Sequence, residues 1–165
     1  MNERMLSKVL VATDLSPASQ EVFEYALQMR QPWQGEIVIL HVFDKDGPSE
    51  DRLLEMTVGE ERLRSIRRNQ KEQARQKLIG KKKIAAEIET GSAERLRDLK
   101  ISVKVLYETN IAACICETAQ TDGFELIVMG LHRRTGLENL LGKSTVGRVI
   151  EKATVPVIVF PITDE

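Results

Sequence analysis

A large charge of one sign, a cysteine pair, metal-ligand spacing and a long apolar run are all missing from this chain. Each absence removes a class of function. The 165 residues hold 24 Lys and Arg against 25 Asp and Glu, a net charge of −1, so the total gives no argument for nucleic acid or an anionic membrane surface. The only cysteines, Cys114 and Cys116, lie two apart on a predicted helix, point in different directions and do not pair. They have no Cys/His metal spacing around them, and such cysteine use suits a reduced, cytoplasmic setting. No apolar run approaches the ~18 residues that read as a membrane-spanning helix. The residues before Lys8 contain no apolar core of a signal peptide, so none is expected. Internal repeats and low-complexity linkers are absent too. The expectation is one soluble domain over residues 1–165, long enough to build a substantial core.

What the chain does have is an alternation of apolar runs and helical patterns. Lys8–Thr13 reads as a first strand, followed by Ser16 as a helix cap and Pro17 at the first helical position. Val22, Tyr25, Ala26 and Met29 then recur at helical spacing, and a turn at Pro32–Gly35, which contains Trp33, leads to a second strand, Glu36–Phe43. Asp51–Met56 and Glu60–Leu78 look helical, the latter with a thin apolar stripe from Leu63, Ile66 and Ala74. Ile84–Ile88 can continue helically, and Ser92 caps a short helix, Ala93–Leu99. Ile101–Tyr107 alternates like a strand nearer the sheet edge, and Asn110 caps Ile111–Gln120, with Ala112, Ile115, Cys116 and Ala119 inward. After the turn at Asp122–Gly123 comes an apolar run, Leu126–Met129, that stops at Gly130. A polar loop with Gly136 and Gly142 follows, then a helix from Ser144 with Val146, Val149 and Ile150 on one face, and a last apolar run, Val155–Phe160. Five such strands alternating with at least four helices predict a parallel α/β sheet covered on both faces, with right-handed crossovers. The glycine loop and helix N-terminus after Gly130 bring backbone N–H groups together in a way that suits an anion.

Four segments in this order resemble the universal stress protein A family from Lys8 to about Phe160. They are Val-Leu-Val-Ala-Thr-Asp-Leu-Ser at 9–16, Ile-Leu-His-Val at 39–42, Leu-Ile-Val-Met-Gly at 126–130, and the tail from Ser144 to Val159. The resemblance implies an adenine-nucleotide-hydrolase-like, doubly wound five-stranded parallel sheet of order 3-2-1-4-5, commonly paired as a homodimer. Its switch point falls between the first and fourth strands, so a ligand crevice is expected outside Thr13-Asp14 and Gly130. The ATP-binding branch carries Gly, two residues, Gly, nine residues, Gly, then Ser or Thr. Here the first glycine is Gly130 and the closing hydroxyl is Ser144, while Arg133 and Lys143 stand at the second and third glycine positions. A one-residue gap brings Gly142 to the third position but does not restore the second. Side chains there fill space that lets backbone approach phosphate, yet Arg and Lys are phosphate ligands themselves. The nucleotide-contacting positions implied are Ala12, Asp14 and Val42 on the first two strands, then Met129, Gly130, His132 and Arg133 around the fourth. Lys143, Ser144 and Thr145 complete them at the following helix.

Blander readings compete at each place. Gly142-Lys-Ser-Thr lacks the earlier glycine of a P-loop, since Leu137 stands there, and Ala12-Thr-Asp-Leu-Ser has no glycine for a dinucleotide turn. Asp14 reads equally as a nucleoside contact or as a loop aspartate bonding nearby N–H groups. Val42 and His41 suit a core, His132 a solvated loop, and Trp33 a cap on the sheet edge. Between Glu60 and Lys83, ten basic and three acidic residues give +7, which reads as a solvated helix face or a docking surface on its own dimer or an anionic partner. The segment 44–100 also looks longer than is usual for the family. No base, nucleophile and metal-ligand set appears, so neither catalytic nor metal residues are expected. The expectation is a cytoplasmic, non-enzymatic stress-response homodimer with a degenerate nucleotide loop, paired through Thr154–Phe160. The alternative is an ATP- or AMP-binding member with slow ATP hydrolysis.

Overall fold

The computed structural model describes residues 6–30, 35–45, 57–91, 100–132 and 144–162. Its strands are β1 (Lys8–Ala12), β2 (Glu36–Asp44), β3 (Ile101–Glu108), β4 (Leu126–His132) and β5 (Val157–Ile162). Its helices are α1 (Ser19–Arg30), α2 (Glu60–Thr90), α3 (Ile111–Thr121) and α4 (Thr145–Lys152). The strands form one parallel sheet in the order β3-β2-β1-β4-β5, as the family resemblance implied. β1 lies central, with Leu10 opposite both Val38 and Ile127.

Period-two alternation divides the apolar strands between two cores. Val9, Val11, Ile37, Ile39 and Val128 pack with Phe23 and Leu27 of α1 and Leu78 of α2. Leu10, Val38, Leu40, Val42 and Ile127 pack on the other face with Ile115 of α3 and Val149 of α4. Each fully buried side chain of this kind contributes roughly 1.5–3 kcal/mol over exposure, which explains why β1, β2 and β4 are apolar on both faces.

Several local expectations shift. Ser16 is not a side-chain cap: α1 starts at Ser19, whose N–H and Oγ both donate to the Ser16 carbonyl, at 3.1 and 2.6 Å. Asn110 and Ser144 do cap, their side-chain oxygens accepting from Ala113 and Gly147 at 3.0 Å each. On α3 it is Cys114 that is buried and Cys116 that is half-buried; both thiols are free, and burial raises both above the usual thiol range. On α4 the buried face is Val146, Gly147 and Val149, while Ile150 is 51% exposed. β4 runs on to His132, and β5 starts at Val157, two residues later than expected, because Pro156 has no N–H to give the ladder.

The largest change is α2. The two helical stretches expected, Glu60–Leu78 and Ile84–Ile88, form one 31-residue helix that runs through Gly80 and Lys81–Lys83. Leu63, Ala74 and Leu78 are its buried apolar anchors. Gly91 ends it in the left-handed region at φ 71°, its N–H donating to Glu87 O at 2.9 Å. Arg64, Arg68, Lys71 and Arg75 are exposed along one flank at helical spacing, as a solvated face would be. Trp33, the helices expected at 51–56 and 93–99 with Ser92 as cap, and the loop holding Arg133, Gly136, Gly142 and Lys143 lie outside the described residues.

Candidate functional site

The site is built where β1 ends. Leu15 sits in the left-handed region at φ 65°, a conformation that costs an ordinary residue roughly 1–3 kcal/mol and needs support. Two short bonds supply it: Leu15 N–H donates to Thr13 Oγ1 at 3.1 Å, and Ser16 N–H donates to Asp14 Oδ1 at 2.9 Å. This reversal carries Asp14 out of the strand at the sheet's carboxyl edge. Its other oxygen, Oδ2, lies 2.7 Å from His132 Nε2 at the end of β4. Burial alone raises the Asp14 carboxyl, but hydrogen bonds from Ser16 and His132 outweigh it and hold the group below the ordinary 3.8. Asp14 therefore closes a local turn, as a loop aspartate would, and also lines the crevice.

β1 and β4 are adjacent here while their chains lead away to opposite faces, and the gap between them opens a crevice of about 410 Å³. Its walls are apolar: Val22 and Phe23 of α1 and Ile162 of β5 on one side, Ile111 and Ile115 of α3 and Val146 on the other. Eight of the ten residues implied by the family pattern line it, namely Ala12, Asp14, Val42, Met129, Gly130, His132, Ser144 and Thr145. Ala12, Val42 and Met129 are buried strand residues at 8%, 7% and 4% exposure, so they serve the core as well as the wall. Ser144 caps α4, whose N-terminus faces the crevice with Thr145. Arg133 and Lys143 lie outside the described residues.

His41 is the buried histidine expected of the core, with its Nδ1 2.7 Å from the Thr13 carbonyl and its ring edge-on to Phe43. Burial pushes its pKa below the ordinary 6.5, against the pull of the Thr13 carbonyl and Asp14 and with the push of Lys77. It also lines the crevice floor, which sequence reading did not anticipate.

Lys81 is the larger omission. It comes from α2, far along the chain from every motif, yet it lines the same crevice as Asp14. Its Nζ donates to Gln20 Oε1 at 3.0 Å, and Gln20 Nε2 donates on to Glu24 Oε1 at 3.1 Å. Burial lowers its pKa from the ordinary 10.5, while Asp14 and Glu24 pull it up. A signal for it exists in the sequence: Lys81 follows Leu78 by three residues and Ala74 by seven, so an unbroken helix puts it on their inward face. Among the described residues no group of three or more His, Cys, Asp or Glu side chains could hold a metal ion, and no helix is long and apolar enough to cross a membrane.

Comparison with known proteins agrees with this fold. Residues 5–161 match the sequence model of the Universal stress protein family. Universal stress protein MJ0531 of Methanocaldococcus jannaschii is 30% identical over 160 residues, covering 95% of this chain and 83% of its own. Universal stress protein MJ0577 of the same organism is 25% identical over 156 residues, 94% of each chain. A solved structure of protein MJ0577 superposes with a TM-score of 0.69 at 24% identity, over 98% of this chain and 99% of that one. Two further structures share the fold at lower identity. One is a universal stress protein in complex with cAMP, with a TM-score of 0.59 at 14% identity over 95% and 98% of the two chains. The other is the Archaeoglobus fulgidus protein in complex with dAMP, with a TM-score of 0.52 at 16% identity over 96% and 98%. With the family match spanning nearly the whole chain and the sheet order that the resemblance implied, this chain belongs to the universal stress protein family.

Proposed function

We propose that the crevice between β1 and β4 receives an adenine nucleotide, and that the protein works as a non-enzymatic, cytoplasmic stress-response homodimer. The observation that carries the first part is the crevice itself: apolar walls, Asp14 and His132 at its mouth, and a capped helix N-terminus beside them at the switch point of a doubly wound sheet. The cAMP and dAMP complexes of two proteins sharing the fold support the same ligand class. Ala12, Val42 and Met129 would flank the base, with Asp14, Gly130 and His132 near the sugar. Ser144, Thr145 and the two cations at motif glycine positions, Arg133 and Lys143, would meet the phosphates. Asp14 is committed to Ser16 and His132 and carries a lowered pKa, which makes it a poor general base and favours binding over ATP hydrolysis.

The assembly follows from β5. It is the last strand in the sheet order, and Val157–Phe160 are only half-buried. A second copy pairing along this edge would cover those side chains. Pro161, with no N–H, would confine the backbone pairing to Val157–Phe160, within the Thr154–Phe160 segment. The whole chain acts as one universal stress protein domain, with residues 44–100, and α2 in particular, as the enlarged and protein-specific part. Two measurements test this. Native mass spectrometry of freshly purified protein, with titration calorimetry against ATP, AMP and adenosine, should find binding that Asp14→Ala weakens. Light scattering at tens of micromolar should give a dimer. No binding of any of the three ligands refutes the crevice reading, and a monomer refutes the β5 pairing.

A further inference from the structure

The nucleotide pattern of the sequence puts every phosphate contact on the loop and helix after β4. The opposite wall of the crevice holds a cation that belongs to no motif. Lys81 comes from α2, is half-buried, and lines the same crevice as Asp14, Ser19 and Val22. Its ammonium carries three donors, and the acceptor it has among the described residues is one neutral amide oxygen, Gln20 Oε1 at 3.0 Å. Glu24 reaches that amide from the far side, bonded to its nitrogen and not to the lysine. A half-buried ammonium held by a single neutral acceptor is an uneconomical way to pack a helix. Leu78, one turn earlier, is fully buried and already anchors α2 there.

Asp14 makes the placement more pointed. A carboxylate with a lowered pKa at the crevice mouth repels a phosphate unless cations flank it. His132 stands on its β4 side at 2.7 Å, and Lys81, bonded to Gln20 of α1, lines the same crevice. We propose that Lys81, delivered by the long helix α2, is a phosphate contact of this crevice and gives it preference for phosphorylated adenosine over adenosine. The ammonium keeps its bond to Gln20 and turns its remaining donors to a phosphate oxygen. α2 is thereby part of the ligand site and not only a cover for the sheet.

The inference rests on the adenine-nucleotide reading above, and its test separates the two. Affinities of the unaltered protein, Lys81→Met and Lys81→Arg are measured by calorimetry for AMP, adenosine and inorganic pyrophosphate, with thermal unfolding as a check on the fold. Lys81→Met should weaken AMP by roughly ten- to a hundred-fold, the size of a lost charge-assisted hydrogen bond, and leave adenosine within about two-fold. Lys81→Arg should restore most of the AMP affinity, and Lys81→Met should unfold at the same temperature or higher, since it removes a half-buried charge. If AMP and adenosine weaken together, or neither changes, Lys81 is a packing residue and the inference falls while the crevice reading stands. If the unaltered protein binds neither AMP nor adenosine, the crevice reading falls and pyrophosphate alone decides for Lys81. Pyrophosphate binding lost in Lys81→Met and kept in Lys81→Arg upholds the phosphate contact; binding that is absent, or insensitive to both changes, overturns it.

Discussion

Gly130→Ala separates packing from ligand access at the residue that anchors the whole nucleotide pattern. A Cβ built on Gly130 would lie 2.9 Å from Val22 Cγ2 and 3.1 Å from Ile162 Cδ1. Carbon atoms rest at about 3.5–4.0 Å, so the two neighbours must retreat by roughly half an ångström. Both are 2% exposed members of the core on the α1 face of the sheet, and Val22 is stiff about its first side-chain torsion, so the retreat disturbs that packing. Overpacking of this kind costs about 1–3 kcal/mol. For a chain of this length that lowers Tm by roughly 2–12 °C. Urea unfolding of the ligand-free protein should show the loss as a lower midpoint with an unchanged slope. Val22→Ala removes the closest atom, so combining it with Gly130→Ala should give a double variant more stable than the sum of the two losses, with a coupling of about 0.5–3 kcal/mol. If instead Gly130 is there only to let backbone approach a phosphate, the ligand-free protein will tolerate alanine. A loss below about 0.5 kcal/mol, or strict additivity in the cycle, refutes the packing argument.

Two other consequences can be checked directly. Changing Arg68, Lys71 and Arg75 together to Gln should leave Tm and oligomeric state nearly unchanged, because exposed ion pairs contribute only ~0–1 kcal/mol each; loss of the dimer would mean that this flank docks. Burial holds His41 below its ordinary 6.5, so the fold favours the neutral ring: stability is full above that value and declines as pH falls through it. Asp14, held below 3.8, contributes in a separate window and loses its share only as pH falls below that value. Urea midpoints from about pH 8 to pH 5.5 should therefore drop in a His132→Gln background, which removes the other of the 2 histidines, and stay flat once His41→Gln is added. A flat profile with His41 present would contradict a buried neutral ring.

The sheet was legible because its strands announce themselves. Residues 9–12, 37–40 and 126–129 are apolar on both faces, as strands of a parallel sheet covered by helices are. The crevice was legible through the family resemblance, since the strand order it implied determines where β1 and β4 diverge. What escaped was set by contacts between distant segments. The sequence offered two helical stretches either side of Gly80 and the three lysines after it, yet α2 runs unbroken through them to Thr90, with Leu78 fully buried just before. Ile150 shares a helical face with Val146, but α4 is rotated so that Gly147 lies inward in its place. Ser16 has the right residue type for a cap, but the bonds around Thr13 and Asp14 use up the turn before α1 begins. Local propensity proposes these features and tertiary contact decides them.

The same division bears on ligand preference within the family fold. The motif loop after β4 can be compared between members residue by residue, and here it carries Arg133 and Lys143 where the pattern has glycine. A helix such as α2 has no motif, and its contribution depends on which residue reaches the crevice after one particular count of turns. From Ala74 to Lys81 is seven residues, close to two turns, so inserting or deleting one residue between them would swing the ammonium about 100° away from the crevice. On the proposed reading, a member can change its phosphate preference by altering the length of this segment without touching the nucleotide motif. On that reading α2 is a determinant of ligand choice, and its basic flank and Lys81 serve different ends: one faces water, the other the crevice.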